Sequence, residues 1–154
     1  MKLELKHILP YSDHGLKFFP GAGRKRKHTL KKIYFEFKEH IYLNGYFAPY
    51  AKLILKPLED LTKPENAIEL YNFLVDNRIH IPKYALNETV LEARIVQKPF
   101  GKIYKLSHAG DWVCVISLED TARLKHKIFD FLCSKHYDMF NLIKNDLAVN
   151  ANDF

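Results

Sequence analysis

The sequence predicts an α+β fold, in which an antiparallel sheet, formed mainly by the N-terminal half, packs against two or three helices. The longest helix is expected near the C-terminus. Apolar and polar residues alternate along Ile33–Phe37, which is the period of a strand. Asn44-Gly45 then favours a tight hairpin turn. Apolar residues at helical spacing in Ala67–Val75 and Leu124–Leu132 indicate the helices.

Short strands and turns are predicted for the first elements. Leu3, Leu5 and Ile8 alternate with polar residues and indicate a first strand, and the turn residues at 10–15 follow it. Leu16–Phe19 is predicted as a second strand. The basic segment then forms a loop that leads into the strand at Ile33. A return strand is expected over residues 46–55, with its proline keeping it at an edge or bulge.

The second half is predicted to begin with a helix. Thr62 and Glu65 have the spacing of a capping box, and Asn77 is a suitable stop. Val90–Val96 fits either a strand or a helix. Two further apolar runs, joined through residues 108–111, are predicted to pair as strands: Ile103–Leu106 and Trp112–Ile116.

The C-terminal region is predicted to be helical. Leu124–Leu132 has apolar residues along one face, and Met139–Ile143 is expected to continue as a second helix or a kinked extension. The chain has 154 residues, of which 47% are hydrophobic. That size suits one globular domain over residues 1–154, with a basic loop near residues 21–32.

Positive charge is concentrated in the first third of the chain. Residues 1–57 contain twelve Lys or Arg and four Asp or Glu, whereas residues 58–154 contain twelve and fourteen. Six of the basic residues lie within Arg24–Lys32. A polarised basic surface fits nucleic acid, an anionic membrane surface or an acidic protein.

This basic run is the predicted binding site, although a merely solvated loop is the alternative. Clustered cations attract phosphate because binding releases counterions. Aromatic residues follow at once, and aromatic rings stack on unpaired bases. Phe35 and Phe37 are assigned to the core. The predicted nucleic-acid or partner-binding residues are Arg24, Lys25, Arg26, Lys27, Lys31, Lys32, Tyr34 and Tyr42.

No catalytic residue, metal or cofactor is predicted. Four potential metal ligands follow one another at helical spacing: His126, Asp130, Cys133 and His136. Their spacing does not match a usual zinc pattern, so a buried Cys133 and surface histidines are favoured. His108 and Asp111 would suit an acid–base pair, but a turn is the more common reason for their sequence.

The cysteines and the apolar runs bear on the compartment. Two cysteines, Cys114 and Cys133, make no disulfide framework in a chain of this length, which indicates a reducing cytoplasm. Met1–His7 lacks the apolar region of a secretory signal. No apolar run approaches the ~18–20 residues of a membrane span. The sequence therefore predicts a cytoplasmic protein without a membrane partner.

Three segments, in order along the chain, carry a family resemblance. They are Met1–His7 with Pro10-Tyr11 and Gly15–Lys17 behind it, Lys56–Lys63, and His136–Ile143 followed by Leu147–Asn150. Together they resemble small uncharacterised proteins encoded by phages, prophages and other mobile elements of Bacteroidetes. The chain departs from that family at Lys135, where the family has Trp, and at two glycine positions occupied by Asn141 and Asp146. Asn and Asp tolerate left-handed backbone best after Gly, so turns are predicted there.

The resemblance implies a mobile-element origin and a place in the cytoplasm of a bacterial host cell, and it supplies no catalytic residues. Small phage accessory proteins act by binding host or phage machinery, and those with a basic face act on nucleic acids or nucleoprotein nucleases. The leading hypothesis is therefore a non-enzymatic accessory protein. Its basic loop would bind RNA, DNA or a host nucleoprotein complex. One concrete version is an anti-CRISPR, an inhibitor of an RNA-guided nuclease.

Two alternatives belong to other functional classes. The first is a protein–protein adaptor or phage assembly factor with no nucleic-acid role, in which the basic loop is solvated or meets an acidic partner. The second is a metal-dependent nuclease that uses His108 or His126. The oligomeric state is not predicted.

Overall fold

Three helices and three sheets form the described part of the chain, which confirms the α+β class. The computed structural model describes residues 1–21, 26–36, 40–79, 91–99, 101–108, 111–118 and 124–154. The helices are α1 (Leu5–Ser12), α2 (Pro64–Asp76) and α3 (His126–Ser134). The strands are β1 (Lys17–Phe19), β2 (His28–Thr29), β3 (Ile33–Glu36), β4 (His40–Leu43), β5 (Tyr46–Phe47), β6 (Lys52–Leu55), β7 (Leu91–Lys98), β8 (Gly101–His108), β9 (Asp111–Ser117) and β10 (Ala148–Asn150).

Contacts within the chain group these elements into two compact units. One unit comprises Met1–Pro57 together with Asp130–Phe154, and the other comprises Leu58–Phe129. Each is described by itself below. The single domain over residues 1–154 stays a prediction.

The first unit contains a four-stranded sheet in the order β10-β6-β1-β2. Strand β10 runs parallel to β6, and the remaining pairs are antiparallel. Phe18 on β1 and Leu53 on β6 are Cα partners, and both side chains are fully buried. The predicted second strand is thus confirmed, and it forms the centre of this unit's core.

A second sheet in this unit is the meander β3-β4-β5. Asn44 and Gly45 have φ angles of 51° and 89° and join β4 to β5. Positive φ at both central residues is characteristic of the type I′ hairpin turn, and this confirms the Asn-Gly prediction. The predicted return strand is interrupted, because Ala48–Tyr50 forms a 3₁₀ turn between β5 and β6.

The predicted first strand is wrong, because Leu5–Ser12 is a helix that includes the proline predicted to begin a turn. Ile8 and Tyr11 lie three residues apart on one face, and both are fully buried. The Tyr11 hydroxyl donates to the Tyr137 carbonyl at 2.8 Å and accepts from the Met139 amide at 3.0 Å. A short apolar pattern fits the period of a strand as well as that of a helix. The hydrogen bonds of the buried Tyr11 hydroxyl stabilise the helix.

The predicted second C-terminal helix is also wrong, because turns occupy most of residues 139–146. Asn141 and Asp146 have φ angles of 55° and 57°, so the predicted left-handed turns are confirmed. Residues with left-handed backbone are common where helices end and do not continue a helix. The buried Asp138 carboxylate accepts hydrogen bonds from the amides of Phe140, Leu142 and Ile143 at 3.3, 2.8 and 2.9 Å.

In the second unit, α2 has thirteen residues and is longer than the nine-residue α3, so the longest described helix is not the C-terminal one. Asn77 caps α2 as predicted. The capping box is not formed, because Lys63 is the N-cap and the Thr62 hydroxyl donates instead to the Glu59 carbonyl at 2.7 Å. Pro64 then occupies the first turn, where its missing N–H costs no intrahelical bond.

The third sheet, β7-β8-β9, is antiparallel throughout and contains the longest described strands. It settles the ambiguity over Leu91–Val96 in favour of a strand, while Val90 lies outside the described residues. It also confirms the pairing predicted between the next two runs. The buried Tyr104 hydroxyl donates to the Leu61 carbonyl at 3.1 Å, which ties the sheet to the segment before α2. No helix within the described ranges is long and apolar enough to cross a membrane.

Candidate nucleic-acid interface

A groove of about 620 Å³ lies over the second half of the basic run, in the first unit. We call it the basic groove. It is lined by Arg26, Lys27, His28, Thr29, Lys31, Lys32, Tyr34 and Asn44. Five of the eight predicted binding residues are therefore brought to one surface. Arg24 and Lys25 lie outside the described residues.

Asn44 fixes the backbone that displays these cations. Its side-chain oxygen accepts from the amides of Lys31 and Lys32 at 2.8 and 3.0 Å, and its side-chain nitrogen donates to the Thr29 carbonyl at 2.7 Å. The Asn44 amide also donates to the Lys32 carbonyl at 2.9 Å. One residue at the tip of the β4–β5 turn thus holds the basic segment at four points.

Leu30 anchors the same segment from the inside. It is only 5% exposed, and its amide donates to the Leu16 carbonyl at 2.7 Å. Leu30 is buried, whereas the next two residues, Lys31 and Lys32, are exposed. The basic run is therefore a short strand and an anchored turn, and not a free loop, over the part that the structure describes.

The electrostatics of the basic groove are one-sided. None of the described residues that line it is acidic. No described carboxylate lies within ion-pair distance of Arg26, Lys27, Lys31 or Lys32. Lys27 instead holds its ammonium 5.0 Å from the centre of the Phe154 ring, a cation–π contact that leaves the charge available. Unneutralised cations over a fixed backbone produce a positive potential suited to anions.

Tyr34 and Tyr42 lie on one face of the β3–β4 hairpin. They are Cα partners across the two strands, and directly opposite residues of an antiparallel pair point to the same side. Tyr34 is 45% exposed and also lines the basic groove, whereas Tyr42 is half-buried. The two aromatic residues predicted to stack therefore lie beside the cations.

The assignment of Phe35 to the core is wrong, since its side chain is 58% exposed. Phe35 points to the side of the hairpin opposite Tyr34, and alternation alone does not tell whether a side is covered. Phe37 lies outside the described residues. Sequence reasoning also missed Asn44 and Phe154. The sequence around Asn44 predicted a turn and no contact with the basic run. Phe154 and Lys27 are too far apart in the sequence for a local pattern to predict their contact.

The four potential metal ligands near α3 do not form one cluster. The helix ends at Ser134, so His136 follows it in a left-handed conformation with φ 64°. The His136 Nε2 atom lies 2.7 Å from the His14 carbonyl, and burial lowers the pKa of its imidazole. No group of three His, Cys, Asp or Glu side chains suited to a metal ion occurs in the described ranges.

Cys133 is fully buried, and burial together with the nearby Asp130 charge raises the pKa of its thiol to about 12. The thiolate is the reactive form of cysteine, so almost none of it is reactive at pH 8. We expect iodoacetamide at pH 8 to leave Cys133 unmodified in the folded protein and to modify it in urea. Peptide mass spectrometry separates it from Cys114, and fast labelling of folded Cys133 would contradict the prediction.

No family model, no curated protein and no solved structure matches this chain.

Proposed function

We propose that the basic groove binds the phosphate backbone of nucleic acid and that the protein is a non-enzymatic binding protein. The observation that carries the proposal is the set of four cations without a described carboxylate partner in one groove, where Asn44 holds the backbone of Lys31 and Lys32. A solvated loop would need no such anchoring. Pre-ordered cations lose less conformational entropy on binding than cations on a flexible loop.

The biological setting is proposed from the resemblance of the three segments to mobile-element proteins. A phage accessory protein with a basic face would bind RNA or DNA, or the nucleic acid held by a host nucleoprotein such as an RNA-guided nuclease, and would inhibit it. Pull-down from host lysate, with and without nuclease treatment, separates a direct protein partner from one bridged by nucleic acid. Capture that survives nuclease treatment would favour the adaptor alternative.

The salt dependence of binding tests the proposal. We expect the affinity for a fluorescein-labelled 20-nucleotide strand to fall with a log–log slope of about −3, because about four neutralised phosphates each contribute about −0.7. Between 50 and 200 mM salt this is a loss of about 50-fold. Fluorescence anisotropy measures it. An affinity that does not change with salt, or no binding at 50 mM salt, would overturn the proposal.

The same samples test the nuclease alternative. We expect the labelled strand to stay intact after incubation with Mg²⁺ or Mn²⁺. Metal-dependent cleavage that is lost in a His126→Ala variant would instead support an enzyme.

A further inference from the structure

A row of aromatic side chains continues from the basic groove across the hairpin face. Tyr42 is the Cα partner of Tyr34 on one side and of Phe47 on the other, so the three side chains share a face. The Phe47 ring lies 5.5 Å from that of Tyr42 and 5.6 Å from that of Tyr50. We call Tyr34, Tyr42, Phe47 and Tyr50 the aromatic row.

The two ends of the aromatic row are open to solvent. Tyr34 is 45% exposed at the basic groove, and Tyr50 is 67% exposed at the far end. Burying aromatic surface is favourable, so exposed rings at both ends of one row indicate a surface that binds a partner. Tyr50 also packs near Gly21, where a Cβ atom would meet the Tyr50 Cβ at 3.4 Å. The far end of the row therefore lies beside Gly21, which precedes the basic run in the sequence.

A second groove of about 370 Å³ borders the same row. Phe47 and His40 line it, with their rings 5.5 Å apart, and its charged lining residues are Lys2 and Glu4. A strand that leaves the basic groove along the aromatic row would thus meet another concave surface. Cations in the basic groove and ring faces in the adjoining aromatic row fit a polymer that offers both phosphates and flat apolar groups.

We infer that the ligand of this surface is single-stranded nucleic acid, whose bases stack on the aromatic row while its phosphates occupy the basic groove. The inference rests on the proposed function and deepens it. In a duplex the base faces are stacked on each other, so they are not available to protein rings. An acidic protein segment would satisfy the cations but would leave the row of ring faces unexplained.

Substitution at the two exposed ends of the row tests the inference. Tyr34→Leu with Tyr50→Leu keeps apolar bulk and removes the ring faces. We expect the affinity for a single strand to fall at least about 25-fold, since each stacked base contributes about fivefold or more. The affinity for a duplex of equal length should not change. Wild-type protein should also quench or shift the fluorescence of a 2-aminopurine strand, and the variant should not.

Phe35→Leu is the matched control, because Phe35 is an equally exposed aromatic residue on the opposite side of the same hairpin. It should leave single-strand affinity unchanged. RNA and DNA strands of one sequence form separate arms, and tight binding of either one supports the inference. Equal affinity for single strand and duplex, or equal losses in the Phe35 and tyrosine variants, would overturn it while leaving the proposed function intact. Absence of binding to any nucleic acid would overturn both.

Discussion

Neutralising the basic groove is expected to weaken nucleic-acid binding at least about 100-fold at 50 mM salt, because the counterion-release contribution disappears with the cations. The variant carries four substitutions that remove the charge and keep a polar side chain: Arg26→Gln, Lys27→Gln, Lys31→Gln and Lys32→Gln. The log–log salt slope should approach zero. Adding Arg24→Gln and Lys25→Gln tests whether the whole run contributes.

A matched control removes one arginine and three exposed lysines elsewhere on the chain. Its substitutions are Arg78→Gln, Lys125→Gln, Lys127→Gln and Lys144→Gln. The net charge changes equally in both variants, so a purely global electrostatic effect would weaken both to the same extent. We expect the control to lose less than about threefold, because none of its four cations is among the described residues that line the basic groove. Comparable losses in the two variants would contradict a localised site.

Asp138→Asn is expected to lower the free energy of unfolding by about 2–4 kcal/mol, which is a large share of the stability of a typical domain. The carboxylate accepts from three backbone amides and is 6% exposed. An asparagine places an NH₂ group where one acceptor oxygen was, so a buried amide loses its partner. Urea denaturation measures the change, and a fall in Tm of about 6–12 °C should accompany it.

Asp146→Asn is the control for this substitution. Asp146 has φ 57°, which asparagine also tolerates, and its side chain is 93% exposed. The change removes an ion pair with Lys52, and exposed ion pairs contribute about 0–1 kcal/mol. A loss at Asp146 as large as that at Asp138 would show that the buried acceptor is not the source of the stability.

Local sequence signals predicted the elements whose cause is local. Asn44-Gly45 forms its hairpin turn, and Asn141 and Asp146 adopt left-handed backbone, because these residues lower the cost of positive φ by themselves. The helix over Leu5–Ser12 was missed because its stability depends on Tyr11 bonding to Met139 and Tyr137, more than a hundred residues away.

The sequence predicted which residues form the candidate site but not how the backbone holds them in place. Density of charge identified Arg26, Lys27, Lys31 and Lys32, and strand alternation placed Tyr34 on the surface. The sequence held no sign that Asn44 bonds to the basic segment, since that contact depends on how β3 and β4 pair. A strand pattern also does not specify which face of a hairpin stays exposed to solvent. For this reason the prediction that Phe35 lies in the core is wrong.

Few residues can replace Asn44 without loss of the contacts that it makes. Its backbone requires a residue that accepts left-handed geometry, while its side chain must both donate and accept in the same plane. Glycine adopts the left-handed backbone but has no side chain to form the hydrogen bonds. Glutamine can donate and accept but does not favour positive φ, and aspartate has no donor. The lysines beside it contribute side chains alone, and arginine would supply the same charge. We therefore expect homologues to exchange the cations readily while they retain this one amide.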